Sequence, residues 1–187
     1  MASWSQFAAD EPRLAEAIRV LIQQYGPGLG YLATVRADGG PRVHPVSPVI
    51  TNEGLFCFVV DSPKRRDLES DGRYALHSFP PEDSDDEAYV AGRARPVIDQ
   101  DRVDRLAGSL RAAPQVDWRL FEFSVDVAMV TRHRPPYATS PSTDRVARPV
   151  VELWRDPAST SGARRPSATR ARRSSRSASP TGVEAVG

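Results

Sequence analysis

Two tight-turn signatures, Ala37-Asp38-Gly39-Gly40 and Asn52-Glu53-Gly54, sit between runs of apolar and β-forming residues. Such turns supply the positive-φ positions that short hairpins need, so the flanking runs 29–36, 42–50 and 55–60 read as successive antiparallel strands. The middle run has Val43, Val46 and Val49 as its apolar members, and its prolines, Pro45 and Pro48, cannot donate to a ladder. That places the run at an edge or a bulge. Further β-forming runs span 74–79, 88–98, 120–131 and 146–154. Asp10-Glu11-Pro12 opens an N-terminal helix in which Leu14, Ala17, Ile18, Leu21 and Ile22 recur at helical spacing, and Gly26-Pro27-Gly28 ends it. A short helix is expected over 63–70 and a longer one over 99–113, with Val103, Leu106 and Leu110 on one stripe. The expectation is a mainly β protein, its antiparallel sheet closed into a barrel so that no edge is left bare.

The last thirty or so residues are different in kind. From Asp156 onward Ser, Arg, Ala, Pro and Gly dominate, and such a segment cannot bury enough apolar surface to offset the entropy of ordering it. The expected organisation is a packed N-terminal helix over 1–28, a barrel over 29–155 and a disordered basic tail over 156–187. Arg164, Arg165, Arg170, Arg172, Arg173 and Arg176 lack interleaved aromatics for base stacking, which favours a solvated tail over a nucleic-acid contact. The formal net charge of +1 likewise argues against a dedicated polyanion binder. Cys57 is the only cysteine, so an intrachain disulfide is impossible and a zinc cluster is excluded. The start, MASWSQFAADEP, has neither the basic residues nor the apolar run of a signal peptide, and no apolar stretch is long enough to span a bilayer. A soluble, cytoplasmic protein is expected.

The segment after the 55–60 run carries the chemistry. Ser62 is a favoured N-cap residue, Pro63 fits the first helical position, and Lys64, Arg65 and Arg66 then fill the first turn. Cations there oppose the helix dipole unless something negative is bound. Free N–H groups and converging cations together make a phosphate site. Lys64 is also the chain's only lysine, a compact point charge suited to phosphate. A second reading stays open, in which Asp61, Asp67 and Glu69 neutralise these cations as surface pairs.

The order LATVRADGGPRVHPVSPVITNEGLFCFVVDSPKRRDLESDGRYALHSF resembles the flavin-binding half of the pyridoxamine 5′-phosphate oxidase-like split barrels. The parts that carry the resemblance are Gly40 with Pro45, the 55–60 strand, Ser62-Pro63-Lys64, and Asp71-Gly72-Arg73-Tyr74-Ala75-Leu76. AYVAGRARPVID, DRVDRLAGSL and LFEFSVDVAMVTR resemble the remaining pieces. The resemblance implies a split antiparallel β-barrel of about six to seven strands, with the N-terminal helix and two further helices. It implies an FMN or deazaflavin (F-420) cofactor whose phosphate is held by Ser62 and Lys64, helped by Arg65. The strand from Arg42 would run beside the ring, with Val43, His44 and Pro45 as contacts. It further implies a homodimer with the cofactor between subunits, which Trp118, Arg132 or Trp154 could reach from the partner.

The implied activity is hydride transfer to or from a small organic substrate. The alternative is a non-catalytic carrier of flavin, haem or another tetrapyrrole on the same fold. The chain runs VELWRDPAST into its tail, where vitamin-processing members carry an arginine-bearing segment, which argues against pyridoxamine phosphate as substrate. No G-x-S-x-G elbow or metal-ligand spacing involves His44, His77, His133 or Cys57, so no catalytic residue is named.

Overall fold

The computed structural model describes residues 1–109, 115–133 and 148–160. Leu110 and the rest of the expected helix to 113, the first residues of the 146–154 run and the arginines of the tail lie outside them.

The N-terminal region forms two helices rather than one. Helix α1 (Trp4–Asp10) opens on a capping box, in which the Ser3 hydroxyl accepts from Gln6 N–H and the Gln6 side chain accepts from Ser3 N–H. Helix α2 (Pro12–Gln23) begins at the expected proline and turns Leu14, Ala15, Ile18, Leu21 and Ile22 into the core. Among the described residues eight strands follow in one antiparallel sheet: β1 (Gly30–Val35), β2 (Pro41–Val46), β3 (Pro48–Ile50), β4 (Leu55–Val60), β5 (Arg73–Ser78), β6 (Glu87–Pro96), β7 (Trp118–Arg132) and β8 (Val150–Arg155). Helix α3 (Pro63–Ser70) joins β4 to β5, helix α4 (Gln100–Ser109) joins β6 to β7, and α5 (Pro157–Thr160) follows β8. No helix among the described residues is long and apolar enough to cross a membrane.

The sheet runs β2-β1-β5-β6-β7-β4-β3, with β8 added on β7. Its two ends, β2 and β3, are the halves of the single run expected over 42–50. They part at Ser47, β2 pairing with β1 and β3 with β4. One bent strand thereby closes the sheet on itself. Pro45 and Pro48 both lie on strands with a single partner, as their missing N–H groups require.

The interior is packed by α2 against Leu32, Leu76, Val90, Phe121 and Val125. Phe7 of α1 lies 4.9 Å from the ring of Trp154 and 5.3 Å from Trp4. Trp154 is therefore a core residue, 8% exposed, and not a side chain free to reach a partner. A smaller cluster of Val103 and Leu106 on α4 covers Phe56 and Leu120 from outside. Arg102 fixes that helix by bonding both carboxylate oxygens of Glu122 at 2.9 Å while lying 5.0 Å above the Phe56 ring.

Candidate functional site

Strand β4 is buried along most of its length, and the chain leaves it directly into α3. Ser62 occupies the N-cap position in extended conformation, yet its hydroxyl donates back to the Val60 carbonyl at 2.9 Å instead of accepting from the helix. The Arg65 and Arg66 N–H groups reach the Ser62 carbonyl at 3.1 and 3.3 Å. Pro63 has no N–H, so the Lys64 N–H is the first-turn donor left without an acceptor among the described residues.

The three first-turn cations have different surroundings. Arg65 is 14% exposed and bonds Glu69 at 3.4 Å and Asp117 at 3.2 Å. Arg66 is exposed and pairs with Asp61 at 3.5 Å. Lys64 is half-buried and makes no ion pair or hydrogen bond among the described residues, although its charge acts on His44 and on Cys57. For the two arginines the neutralised reading applies. For the lysine it does not.

The alternation of β2 divides the candidate residues taken from it. Arg42 stands opposite Thr34, and His44 opposite Leu32; both partners are buried. Val43 and Pro45 stand opposite Ala33 and Tyr31 on the outer face, with Val43 60% exposed. The contacts expected along one strand thus belong to two surfaces. On the inner surface, Arg42 Nε donates to Asp67 Oδ2 at 2.8 Å, and the Thr34 hydroxyl donates to the same oxygen at 2.8 Å. Asp67, one turn along α3 from Lys64, is only 7% exposed.

His44 completes the group. Its Nε2 is buried and has no hydrogen-bond partner among the described residues. Burial, followed by the nearby charges of Lys64 and Arg42, holds the imidazole below its ordinary pKa range, against a raising pull from Asp67. A neutral ring with an unsatisfied nitrogen beside an unpaired ammonium is a poor arrangement for an empty core and a good one for a hydrogen-bonding anion. A cleft of about 560 Å³ opens on the flank of α3, lined by Arg36, Asp38, Arg42, Pro63, Arg66 and Asp67 among others, with Lys64 and His44 outside its lining.

The His77 imidazole is committed elsewhere. His77 Nε2 lies 3.1 Å from Glu87, and its Nδ1 lies 2.8 Å from the Ser78 carbonyl. The backbone N–H of His133 donates to Asp86 Oδ1 at 2.7 Å. Burial pushes the Cys57 thiol up to about 12, so it stays protonated and unreactive. Among the described residues no group of three or more His, Cys, Asp and Glu side chains is placed to hold a metal ion.

Thr34 carries no signal in the sequence, and Asp67 enters there only as a surface neutraliser of the first-turn cations. A faint signal exists, because Asp67 precedes Leu68, which is 2% exposed, so the acid sits on the inward side of the helix.

No protein-family model matches the sequence, and no curated protein matches it. Solved structures do. A pyridoxamine 5′-phosphate oxidase candidate of Listeria innocua superposes with a TM-score of 0.52 at 12% identity, over 62% of this chain and 95% of its own. The chain has the split-barrel fold of the pyridoxamine 5′-phosphate oxidase-like proteins. Two further solved structures are similar. Group A Streptococcus HupZ matches with a TM-score of 0.52 at 16% identity, over 60% of this chain and 90% of its own. A heme binding protein from Mycobacterium smegmatis matches with a TM-score of 0.51 at 18% identity, over 74% of this chain and 57% of its own. At such identities the split barrel is shared and its chemistry is not fixed by the likeness.

Proposed function

We propose that this split barrel binds a phosphate-bearing flavin-type cofactor, FMN or a deazaflavin, and serves as an oxidoreductase toward a small organic substrate. One observation carries the reading. Among the described residues Lys64, on the first turn of α3, has an ammonium with no carboxylate partner, and its charge acts on His44, whose buried Nε2 has no hydrogen-bond partner. Lys64 would hold the anionic group, aided by its own N–H and by the Ser62 hydroxyl, which would have to turn from the Val60 carbonyl to donate to the ligand. When bound, the ring of such a cofactor supplies hydride transfer, and the protein supplies position and electrostatics. That division of labour fits a site without a nucleophile and base in contact. A homodimer belongs to the same proposal, supported by the exposed Val150, Val151 and Leu153 along β8.

The test is affinity. A hydrogen bond to a charged group contributes about 1.5–3 kcal/mol, so Lys64→Ala should weaken cofactor binding roughly ten- to hundred-fold. Titration of the purified chain with FMN and with deazaflavin reads this directly, and unchanged affinity would remove Lys64 from the site. The absorption spectrum and mass of any copurifying molecule identify the cofactor itself.

A second reading, a non-catalytic carrier of flavin, haem or another tetrapyrrole, is favoured by the shared fold of the M. smegmatis heme binding protein. Steady-state turnover separates the two: a chain that holds cofactor but never oxidises a reduced nicotinamide or deazaflavin is a carrier.

A further inference from the structure

We propose that the seat at the start of α3 accepts a singly charged phosphodiester in preference to a doubly charged terminal phosphate, and that Asp67 sets this preference. The inference deepens the cofactor reading above and rests on it.

Charge around the seat is the reason. Four guanidinium groups lie on α3 or pair with it, and each has a carboxylate: Arg42 with Asp67, Arg65 with Asp117 and Glu69, Arg66 with Asp61, and Arg119 with Glu69 at 2.6 Å. The four carboxylates balance the four guanidinium groups and leave Lys64 as the uncompensated cation of this group. Arg36, which also lines the cleft, is paired with Asp38. His44 offers a hydrogen bond from Nε2 and, being held neutral, no charge near pH 7. Cys57, on which the Lys64 charge also acts, stays a thiol. The seat as built therefore offers one net positive charge.

A phosphate monoester carries about −1.5 to −2 near pH 7, with its second pKa close to 6, whereas a diester carries one charge throughout. A dianion here would bring its second charge close to the Asp67 carboxylate. That carboxylate is 7% exposed, so water screens it poorly. Recruiting Arg42 as a second cation would require breaking its 2.8 Å bond and leaving Asp67 buried with Thr34 alone. Neither penalty applies to a diester. Neutralising Asp67 while keeping its shape, as Asp67→Asn does, would remove the repulsion and release Arg42 to the ligand.

Three probes with one ring decide the matter: FMN, the monomethyl ester of its phosphate, and riboflavin. Each is titrated into the full chain at about pH 8, where the monoester is fully dianionic, by quenching of flavin fluorescence. The methyl ester should bind at least about fivefold more tightly than FMN and more tightly than riboflavin. Asp67→Asn should improve FMN about tenfold and the ester by less than about threefold, as expected for one charge removed near the seat. FMN binding more tightly than the ester to the native chain overturns the proposal, and so does an ester no better than riboflavin. An unchanged order in a folded Asp67→Asn variant overturns the part given to Asp67. The native-chain comparison needs no variant and decides the preference alone. Binding of none of the three probes is a different result, because it removes the flavin reading and this inference together.

Discussion

Replacing Gly28 with alanine is expected to remove about 3–5 kcal/mol of folding stability, a large share of the ~5–15 kcal/mol a domain of this kind has. Two costs add at this position. Its φ of +94° lies in the left-handed region, where a side chain clashes with its own backbone. A Cβ built there would also meet the Pro48 carbonyl oxygen at 2.0 Å, and that neighbour is backbone rather than a side chain able to swing away. Pro48 opens β3, the half-strand that closes the sheet on β4. The Leu29 N–H, next in the chain, is tied to the Ile22 carbonyl at 2.9 Å, so the segment cannot simply retreat. Gly26 provides the control. Its φ is +101°, but nothing lies within 4 Å of its Cβ position, so alanine there meets the backbone cost alone, about 1–2 kcal/mol. Urea midpoints of the two variants measure the difference. Equal losses would mean that the approach of Gly28 to Pro48 does not hold the barrel shut.

That closure shows where sequence reading ends. The apolar period of α2, the Ser62-Pro63 start of α3 and the edge character of Pro45 and Pro48 are local signals, and each could be read because its cause lies within a few residues. The break at Ser47 has no local cause. It follows from β2 and β3 finding partners on opposite ends of the sheet, which only the assembled fold defines. Helix α1 was missed for a different reason. It buries only Trp4 and Phe7, too few for a periodic pattern, although Ser3 and Gln6 carried a capping-box signature that could have been used.

The site was legible by the same rule. A cation-rich helix start is visible in five consecutive residues, Ser62 to Arg66. Which of its cations keeps its charge available depends on Asp117, more than fifty residues away from Arg65, and on Arg42, which reaches Asp67 across 25 residues. The outer-face placement of Val43 and Pro45 needed the register with β1, fixed by the hairpin once formed.

The Arg42–Asp67 pair should also be energetically one-sided. Surface ion pairs are worth about 0–1 kcal/mol, and removal of one partner from a buried pair costs about 3–5 kcal/mol. Here the arginine side chain is 32% exposed and the carboxylate 8%. Truncating the arginine strands a charge that water barely reaches, whereas truncating the acid leaves an arginine able to turn toward solvent. Arg42→Ala is therefore expected to cost about 2–3 kcal/mol, between the two limits. Most of that cost is the Asp67 charge left with only the Thr34 hydroxyl, so it should shrink below about 1 kcal/mol when measured on an Asp67→Asn background. A double-mutant cycle by denaturant unfolding reads the coupling as the difference, about 1.5–2 kcal/mol. Additive losses would show that Arg42 stabilises the strand through its packing against α3 rather than by answering a buried charge, and Arg42 would then be as free to meet a ligand as Lys64.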